Sequence, residues 1–268
     1  MIKIGTSGYS FPDWKGPVYP ATLANDGMLP FYEKKLGFNI VEINFTYYRI
    51  PSARTMEAMA KRTGDNFEFT VKFSKEMTHE IFDDDWRIKD KPDAFKQFLE
   101  GIQPLVTSHK LGCLLAQYPF AFIKKPETIE YLLLCKERMG SIPLVVEFRH
   151  KSWVTPNTFT SLKKHDIGFC IVDEPQLPKL MPFVAEATSD IGYFRLHGRN
   201  SNWFKTGREE RYNYLYNKEE IKSFVPSIKH VASKAKKVFI FFNNCHHGKA
   251  AINAKELKSI LQANMLLT

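Results

Sequence analysis

Residues 144–149 read Leu-Val-Val-Glu-Phe-Arg. The leucine and the β-branched valines favour a strand that is buried on both faces, as in a parallel sheet. Glu147 and Arg149 are two residues apart at the end of this strand, so they project from one face, while Phe148 projects from the other. The stretch therefore predicts a strand that carries two charged side chains on the same face at its carboxyl end.

Similar apolar runs alternate with amphipathic stretches along the whole chain. The candidate strands are residues 3–5, 39–44, 67–73, 111–117, 144–148, 168–173, 192–197 and 238–243. Helical patterns lie between them, for example at 52–61, 91–106, 126–139, 217–235 and 249–262. Such alternation is typical of parallel strands joined by helical crossovers. Eight such units predict an α/β fold, a TIM-type (β/α)8 barrel that forms a single domain over residues 1–268.

An open, doubly wound sheet is the main competing architecture. It would place a glycine-rich phosphate loop after the first strand, at the start of a helix. Residues 5–8 read Gly-Thr-Ser-Gly, but Tyr-Ser-Phe-Pro-Asp-Trp follows at 9–14 and does not open a helix. The length of 268 residues also suits a barrel, which usually has about 250. The barrel is preferred.

The composition is that of a water-soluble domain. Hydrophobic residues make up 44% and charged residues 25% of the chain. The first residues are strand-like, and apolar runs such as 238–242 are far shorter than the roughly 20 residues that span a bilayer. The four cysteines are far apart in sequence and are typical of small buried residues in a reducing compartment. We expect a cytoplasmic monomer without membrane contact.

The positive charge is concentrated in the last quarter of the chain. Residues 199–268 hold 13 Lys and Arg against 5 Glu, which gives +8 of the total +9. Such a bias is found in proteins that bind nucleic acid or acidic substrates. A solvated helix face explains it equally simply, because six lysines lie on or beside one predicted helix: Lys218, Lys222, Lys229, Lys234, Lys236 and Lys237. We prefer the solvated face.

Polar residues at the strand ends share one phase. Four strands end with two polar residues on one face: Glu42 with Asn44, Thr70 with Lys72, Glu147 with Arg149, and Arg195 with His197. The sixth strand ends with Asp173, and the eighth ends with Asn243 and Asn244. The residues between the paired positions are apolar and are predicted to pack against helices: Ile43, Val71, Phe148 and Leu196. Barrels place their chemistry at the carboxyl ends of their strands, so this shared phase predicts one polar pocket there.

The pocket residues are assigned to two groups. We expect Glu42, Glu147, Asp173 and His197 to be catalytic. We expect the substrate to contact Ser7, Asn44, Lys72, Arg149, His150, Trp153, Arg195, Arg199, Asn243 and Asn244. The alternative is a buried charge network that only fills the barrel, which would be a poor source of stability. Two long connections, 78–90 and 198–216, lie where barrels place binding loops.

The same stretches resemble the YecE-like family, domain of unknown function 72. The matching segments are Gly-Thr-Ser-Gly-Tyr-Ser-Phe-Pro-Asp-Trp at 5–14, Val-Glu-Ile-Asn-Phe-Thr-Tyr-Tyr-Arg at 41–49, Phe-Thr-Val-Lys at 69–72, Glu-Phe-Arg-His-Lys-Ser-Trp at 147–153, Tyr-Phe-Arg-Leu-His-Gly-Arg at 193–199 and Phe-Asn-Asn at 242–244. The resemblance implies a TIM-type barrel and supplies no reaction. The chain departs from the family pattern at Gln-Tyr-Pro 117–119 and at Cys-His-His 245–247, both at the expected pocket rim.

Three functions remain open. The first is an enzyme that acts on a small anionic, phosphorylated molecule by acid/base chemistry, with arginines clamping the anion. The second is a phosphodiesterase or repair-like barrel that holds nucleic acid, and the third is a ligand-binding barrel without catalysis. The cofactor is unknown, because no cofactor motif is present. A divalent metal ion is not favoured, since Arg149 and Arg195 would repel it. We prefer the first function.

Overall fold

Eight parallel strands form the sheet in the computed structural model, which describes residues 1–85, 87–203 and 207–266. The strands are β1 (Ile2–Thr6), β2 (Ile40–Ile43), β3 (Glu68–Lys72), β4 (Leu111–Gln117), β5 (Leu144–Glu147), β6 (Ile167–Asp173), β7 (Ile191–Leu196) and β8 (Lys237–Phe242). Their order is β1-β8-β7-β6-β5-β4-β3-β2. Each predicted strand is present, with ends that differ by at most one residue from those expected.

The two edge strands of this sheet meet, which makes a nearly closed barrel. Ser7 and Glu42 form a parallel bridge just beyond β1 and within β2, and the Gly8 amide donates to the Glu42 carbonyl at 2.8 Å. Gly5 permits this approach, because a Cβ there would lie 2.2 Å from the Ile40 carbonyl oxygen. The predicted single-domain TIM-type barrel is confirmed, and the open sheet is excluded.

The helices pack around the outside of the sheet. They are α1 (Met28–Lys34), α2 (Ala53–Lys61), α3 (Pro92–Thr107), α4 (Pro126–Met139), α5 (Pro156–Lys164), α6 (Arg208–Arg211), α7 (Lys218–Ser223), α8 (Val225–Ala232) and α9 (Lys249–Ala263). Short 3-10 turns lie at Pro12–Trp14, Asn25–Gly27, Phe45–Tyr47, Lys75–Met77, Lys151–Trp153 and His246–Gly248. None of the helices in the described ranges is long and apolar enough to cross a membrane.

Two expectations for the helices are wrong. The single helix expected at 217–235 is divided at Phe224 into α7 and α8. Pro226 lies in the first turn of α8, where its missing N–H costs nothing, but inside one long helix it would remove a hydrogen bond and clash with the preceding turn. The connection between β6 and β7, residues 174–190, contains no helix, so strand–helix alternation is interrupted there.

Polar side chains form successive layers inside the barrel, which is open at one end. At the amino end, Glu68 accepts from Lys237 at 2.6 Å, and Lys3 lies 3.6 Å from its other oxygen. In the next layer, the hydroxyls of Thr70 and Tyr193 are 2.9 Å apart. The amino end is therefore closed by an ionic layer. The carboxyl end opens into a cavity.

The lysines of the last quarter lie mostly on the outside of the barrel. Lys218, Lys222, Lys229, Lys234 and Lys236 are exposed. Lys222 lies 3.5 Å from Glu219, and Lys236 lies 2.7 Å from Asp190. They occupy the solvated helix face and the chain just after it, as preferred above.

Candidate functional site

A cavity of about 960 Å³ lies at the carboxyl ends of the strands. Seven of the residues assigned to the pocket from sequence lie on its wall: Ser7, Glu42, Asn44, Lys72, Arg149, Arg195 and Asn243. They come from six different strands or from the residues that follow them. The shared polar phase of the strand ends therefore brings these side chains to one place.

Arg195 of β7 is the centre of a buried ionic cluster. Its Nη2 and Nε donate to the two carboxylate oxygens of Glu42, at 2.7 and 3.0 Å. Its Nη1 donates to Oε2 of Glu147 at 2.5 Å. The Tyr193 hydroxyl also donates to Glu42, at 2.6 Å. The bidentate pair fixes the plane of the guanidinium group, and this geometry is the strongest form of arginine–carboxylate contact.

Glu147 extends the cluster to a second arginine. Its Oε1 lies 2.6 Å from Nε of Arg149, whose Nη1 donates to Glu174 at 2.8 Å. Burial alone would raise the pKa of Glu147, but Arg149 and Arg195 outweigh it and hold that pKa well below its usual range. Glu147 is therefore a permanent anion between two cations.

Glu174 takes the place in the cluster that was expected for Asp173. Val172 pairs with Arg195 and Asp173 pairs with Leu196, so the alternation of β6 directs Asp173 away from the lumen. Burial raises the pKa of Glu174 to about 7, although Arg149 lowers it in part. Sequence reasoning missed Glu174 because residues 168–172 are apolar at every position, so their pattern does not show which residues face the lumen.

Asp173 belongs to a separate cluster behind the strands. It accepts two hydrogen bonds from the guanidinium group of Arg199, at 2.8 and 2.9 Å, and one from the Tyr216 hydroxyl at 2.7 Å. The same hydroxyl accepts from the Gly198 amide at 2.7 Å. This cluster fixes the connection that follows β7. Neither Asp173 nor Arg199 lies on the cavity wall.

His197 is fully buried beside Glu147. Asn243 donates to its Nδ1 at 2.9 Å, so the ring proton is on Nε2, which lies 3.4 Å from Oε1 of Glu147. Burial, together with the charge of Arg149, lowers the pKa of His197 to about 3. The imidazole is therefore neutral near pH 7.

Lys72 differs from Arg149 and Arg195, the two arginines at the strand ends of the wall, in having no carboxylate partner within the described ranges. Its Nζ donates to Oε1 of Gln117 at 2.6 Å and lies 4.5 Å from the centre of the Tyr47 ring. Burial and the charge of Arg195 lower its pKa to about 7, because Glu147 and Glu42 offset these effects only in part. Gln117 was expected only at the pocket rim, and Tyr47 was not assigned to the site. Their positions at or just after strand ends were the sequence signal that could have indicated them.

Besides Arg199, three more predicted substrate contacts lie away from the cavity. Trp153 is buried, stacks on Phe148 with ring centres 4.1 Å apart, and donates to the Phe122 carbonyl. The side chain of His150 accepts from the Ser152 amide at 3.1 Å. The side-chain amide of Asn244 donates to Oδ1 of Asn253 at 2.9 Å, which ties the end of β8 to α9.

The connections after the strands supply the rim. Trp203, Arg211 and Tyr212, from the long connection after β7, line the cavity together with the pair His246–His247. The Nε of Arg211 donates to the Trp203 carbonyl at 2.9 Å. The length of the 198–216 connection was the sequence signal for these residues. In the part of the chain that the structure describes, no three His, Cys, Asp or Glu residues converge as metal ligands.

Comparison with known proteins agrees with this architecture. The family model described as "Protein of unknown function DUF72" matches residues 3–267. "UPF0759 protein YunF" of Bacillus subtilis (strain 168) is 34% identical over 274 residues, covering 97% of this chain and 95% of YunF. A DUF72 family protein from Thermotoga maritima MSB8 is 43% identical, with a TM-score of 0.91 over 98% of this chain and 99% of the other.

More distant barrels show the fold alone. D-psicose 3-epimerase from Clostridium cellulolyticum H10 is 14% identical, with a TM-score of 0.53 over 99% of this chain and 100% of the epimerase. The resemblance seen in the strand-end segments is confirmed by the family match and by the two closer relatives. The chain therefore belongs to the DUF72 family.

Proposed function

We propose that the chain is an enzyme that binds a small anionic, phosphorylated molecule in the cavity and moves a proton on it. The observation that carries the proposal is a pair of N–H donor groups at the strand ends of the wall that contact no carboxylate in the described ranges. One is the ammonium group of Lys72. The other is Nη2 of Arg149, which has no hydrogen-bond partner in the described ranges, whereas Nε and Nη1 of the same side chain face carboxylates.

The charge on the cavity wall favours an anion. The described lining residues include four Lys and Arg against two carboxylates: Lys72, Arg149, Arg195 and Arg211 against Asp13 and Glu42. Glu42 is already occupied by Arg195. Because charge-assisted hydrogen bonds from arginine to phosphate are strong, an anion here would complete the coordination of groups that are already held in place.

The buried carboxylates act as positioning residues in this proposal. Glu42 and Glu147 hold the two guanidinium groups in fixed planes, which lowers the cost of ordering them when a ligand binds. Buried Oδ1 of Asn44, which has no partner in the described ranges, would accept from a ligand hydroxyl. Neutral His197 contacts Glu147 on the side away from the cavity, with its Nε2 3.4 Å from Oε1 of Glu147.

Lys72 is the group best suited to carry the proton. A general acid or base works best when its pKa is near the pH of operation, and the pKa of Lys72 is about 7. It is half-buried on the wall, so a ligand can reach it. Of the four residues first assigned to catalysis, Glu42 alone lines the cavity, and Glu147, Asp173 and His197 lie behind it.

The experiment is hydrogen–deuterium exchange on a panel of phosphorylated sugars and hydroxy acids in D2O, followed by proton NMR. We expect one or more compounds to lose a C–H signal with wild-type protein, and Lys72→Met to slow the loss by about 100-fold. Lys75→Met is the matched control, because Lys75 is exposed and paired with Glu80, and it should exchange like wild type. If no compound exchanges or raises the melting temperature, the proposal is overturned.

The nucleic-acid alternative rests on one observation, the exposed lysines of α7 and α8. Binding to them would be electrostatic, so it would fall steeply with salt. Saturable oligonucleotide binding at low salt that is lost in Lys222→Glu would favour it; no binding at low salt would eliminate it. The third alternative, a ligand-binding barrel, predicts a ligand-dependent rise in melting temperature without any exchange.

A further inference from the structure

Lys72 lies on a cavity wall rich in cationic side chains and forms no ion pair with any described residue. Arg149 and Arg195, which lie on this wall at the strand ends, each form at least one ion pair shorter than 3 Å. The side chain of Lys72 forms none with any described residue, although Glu42 and Glu147 lie near enough to influence it. An unpaired lysine on the wall of a cavity costs stability, and a structural role does not require that cost.

The surroundings of Lys72 also fix the direction of its amino group. Nζ donates to Oε1 of Gln117 and lies over the ring of Tyr47. One N–H of the Lys72 amino group is therefore donated to the side-chain amide oxygen of Gln117. When the amine is neutral, Nζ keeps a lone pair that can attack an electrophile in the cavity.

We propose that Lys72 is a nucleophile that forms an imine with the carbonyl carbon of an anionic aldehyde or ketone. The inference rests on the proposed function, in which the cavity holds the anionic part of the ligand. Amines on the walls of cavities become nucleophilic when they are desolvated beside other cationic groups. Arg149 and Arg195 are those groups here, and Nη2 of Arg149 would bind the phosphate.

The step balances without an oxidant or reductant. The lone pair of Nζ attacks the carbonyl carbon, a C–N bond forms, and the carbonyl π electrons move to oxygen, which takes a proton. Loss of the second N–H proton and departure of the oxygen as water give the imine. Its protonated form withdraws electrons from the adjacent carbon, so a C–H or C–C bond there is weakened. This is the same bond that the deuterium-exchange experiment observes.

The test is reductive trapping with a matched pair of aldehydes. Wild-type protein is incubated near pH 7 with glyceraldehyde 3-phosphate and sodium cyanoborohydride, and the modified lysines are mapped by peptide mass spectrometry. Lys72 should be modified at least 100-fold faster than the exposed Lys75, since about half of Lys72 is uncharged at this pH against roughly one part in 3,000 of an ordinary lysine. Lys72→Arg should abolish the fast site, and Lys75→Arg should leave it unchanged.

Three comparisons separate this inference from the proposed function. Unphosphorylated glyceraldehyde should label Lys72 at least 10-fold more slowly, and inorganic phosphate should protect the site. If phosphate raises the melting temperature but Lys72 is not trapped preferentially, the imine is overturned and the anion site stands. If phosphate neither binds nor protects, the proposed function is overturned too. Mapping on wild-type protein decides the matter even if Lys72→Arg does not fold.

Discussion

Replacing Glu147 by glutamine tests the ionic cluster most severely. The side chain is fully buried and lies between Arg149 and Arg195, with the ring of His197 at 3.4 Å. Glutamine keeps the size of the side chain but removes its charge. Each arginine would keep one carboxylate, because Glu174 and Glu42 remain. The variant therefore removes the shared anion and leaves the rest of the cluster in place.

The expected loss of stability is large. Removing one partner from a buried ion pair typically costs about 3–5 kcal/mol, because the remaining charge is left buried. The remaining carboxylates place the expected value near the lower end, about 3 kcal/mol. For a chain of this size about 1 kcal/mol lowers the melting temperature by about 2–4 °C, so the fall should be about 6–12 °C.

The assay is thermal and urea unfolding followed by circular dichroism, with Glu57→Gln as the matched control. Glu57 pairs with Lys61 on the surface of α2, where its side chain is 54% exposed, so we expect no measurable change in the free energy of unfolding. A loss below about 1 kcal/mol in Glu147→Gln would refute the reasoning. It would mean that the two guanidinium groups do not depend on the shared carboxylate.

Three further predictions follow from pKa values and packing. Lys72→Met should stabilise the protein near pH 7, and the gain over wild type should shrink as the pH rises from about 7 to 10.5. In that range Lys72 is neutral in the folded protein and charged in the unfolded chain, so the cost of losing its proton on folding falls as the pH rises. Urea unfolding at several pH values measures this difference. Burial lowers the pKa of His197 from 6.5 to about 3, so wild type should lose stability as the pH falls through that window, and His197→Gln should lose less in acid unfolding. Trp153→Ala should cost about 3–5 kcal/mol in urea unfolding while changing phosphate affinity less than twofold, because Trp153 packs on Phe148 outside the cavity.

The central cluster could be predicted because the sequences of its strands show which residues face the lumen. In 146–149 and 194–197, polar and apolar residues alternate, so the faces can be assigned without a structure. The structure then brings Glu147, Arg149 and Arg195 into contact. Strand existence was predictable for the same physical reason: short runs of apolar and β-branched residues have few other ways to be buried.

Other features depend on information that local patterns do not contain. Strand β6 is apolar on both faces, so only its pairing with β7 shows that Asp173 points away from the lumen. Trp153 follows β5 in a 3-10 turn, where the two-residue period no longer applies. Among the described residues Lys72 has no ion pair, because the nearby carboxylates Glu42 and Glu147 already pair with arginines, and this depends on the assembly of the whole barrel.

Titration of inorganic phosphate into the protein by calorimetry near pH 7 at low salt tests the central claim most directly. We predict one site per chain, weakened at least 10-fold by Arg149→Met, since a charge-assisted hydrogen bond contributes about 1.5–3 kcal/mol. Lys222→Met, which removes an exposed charge on α7, should bind like wild type. Absence of binding, or equal binding by all three proteins, would contradict an anion site at the carboxyl ends of the strands.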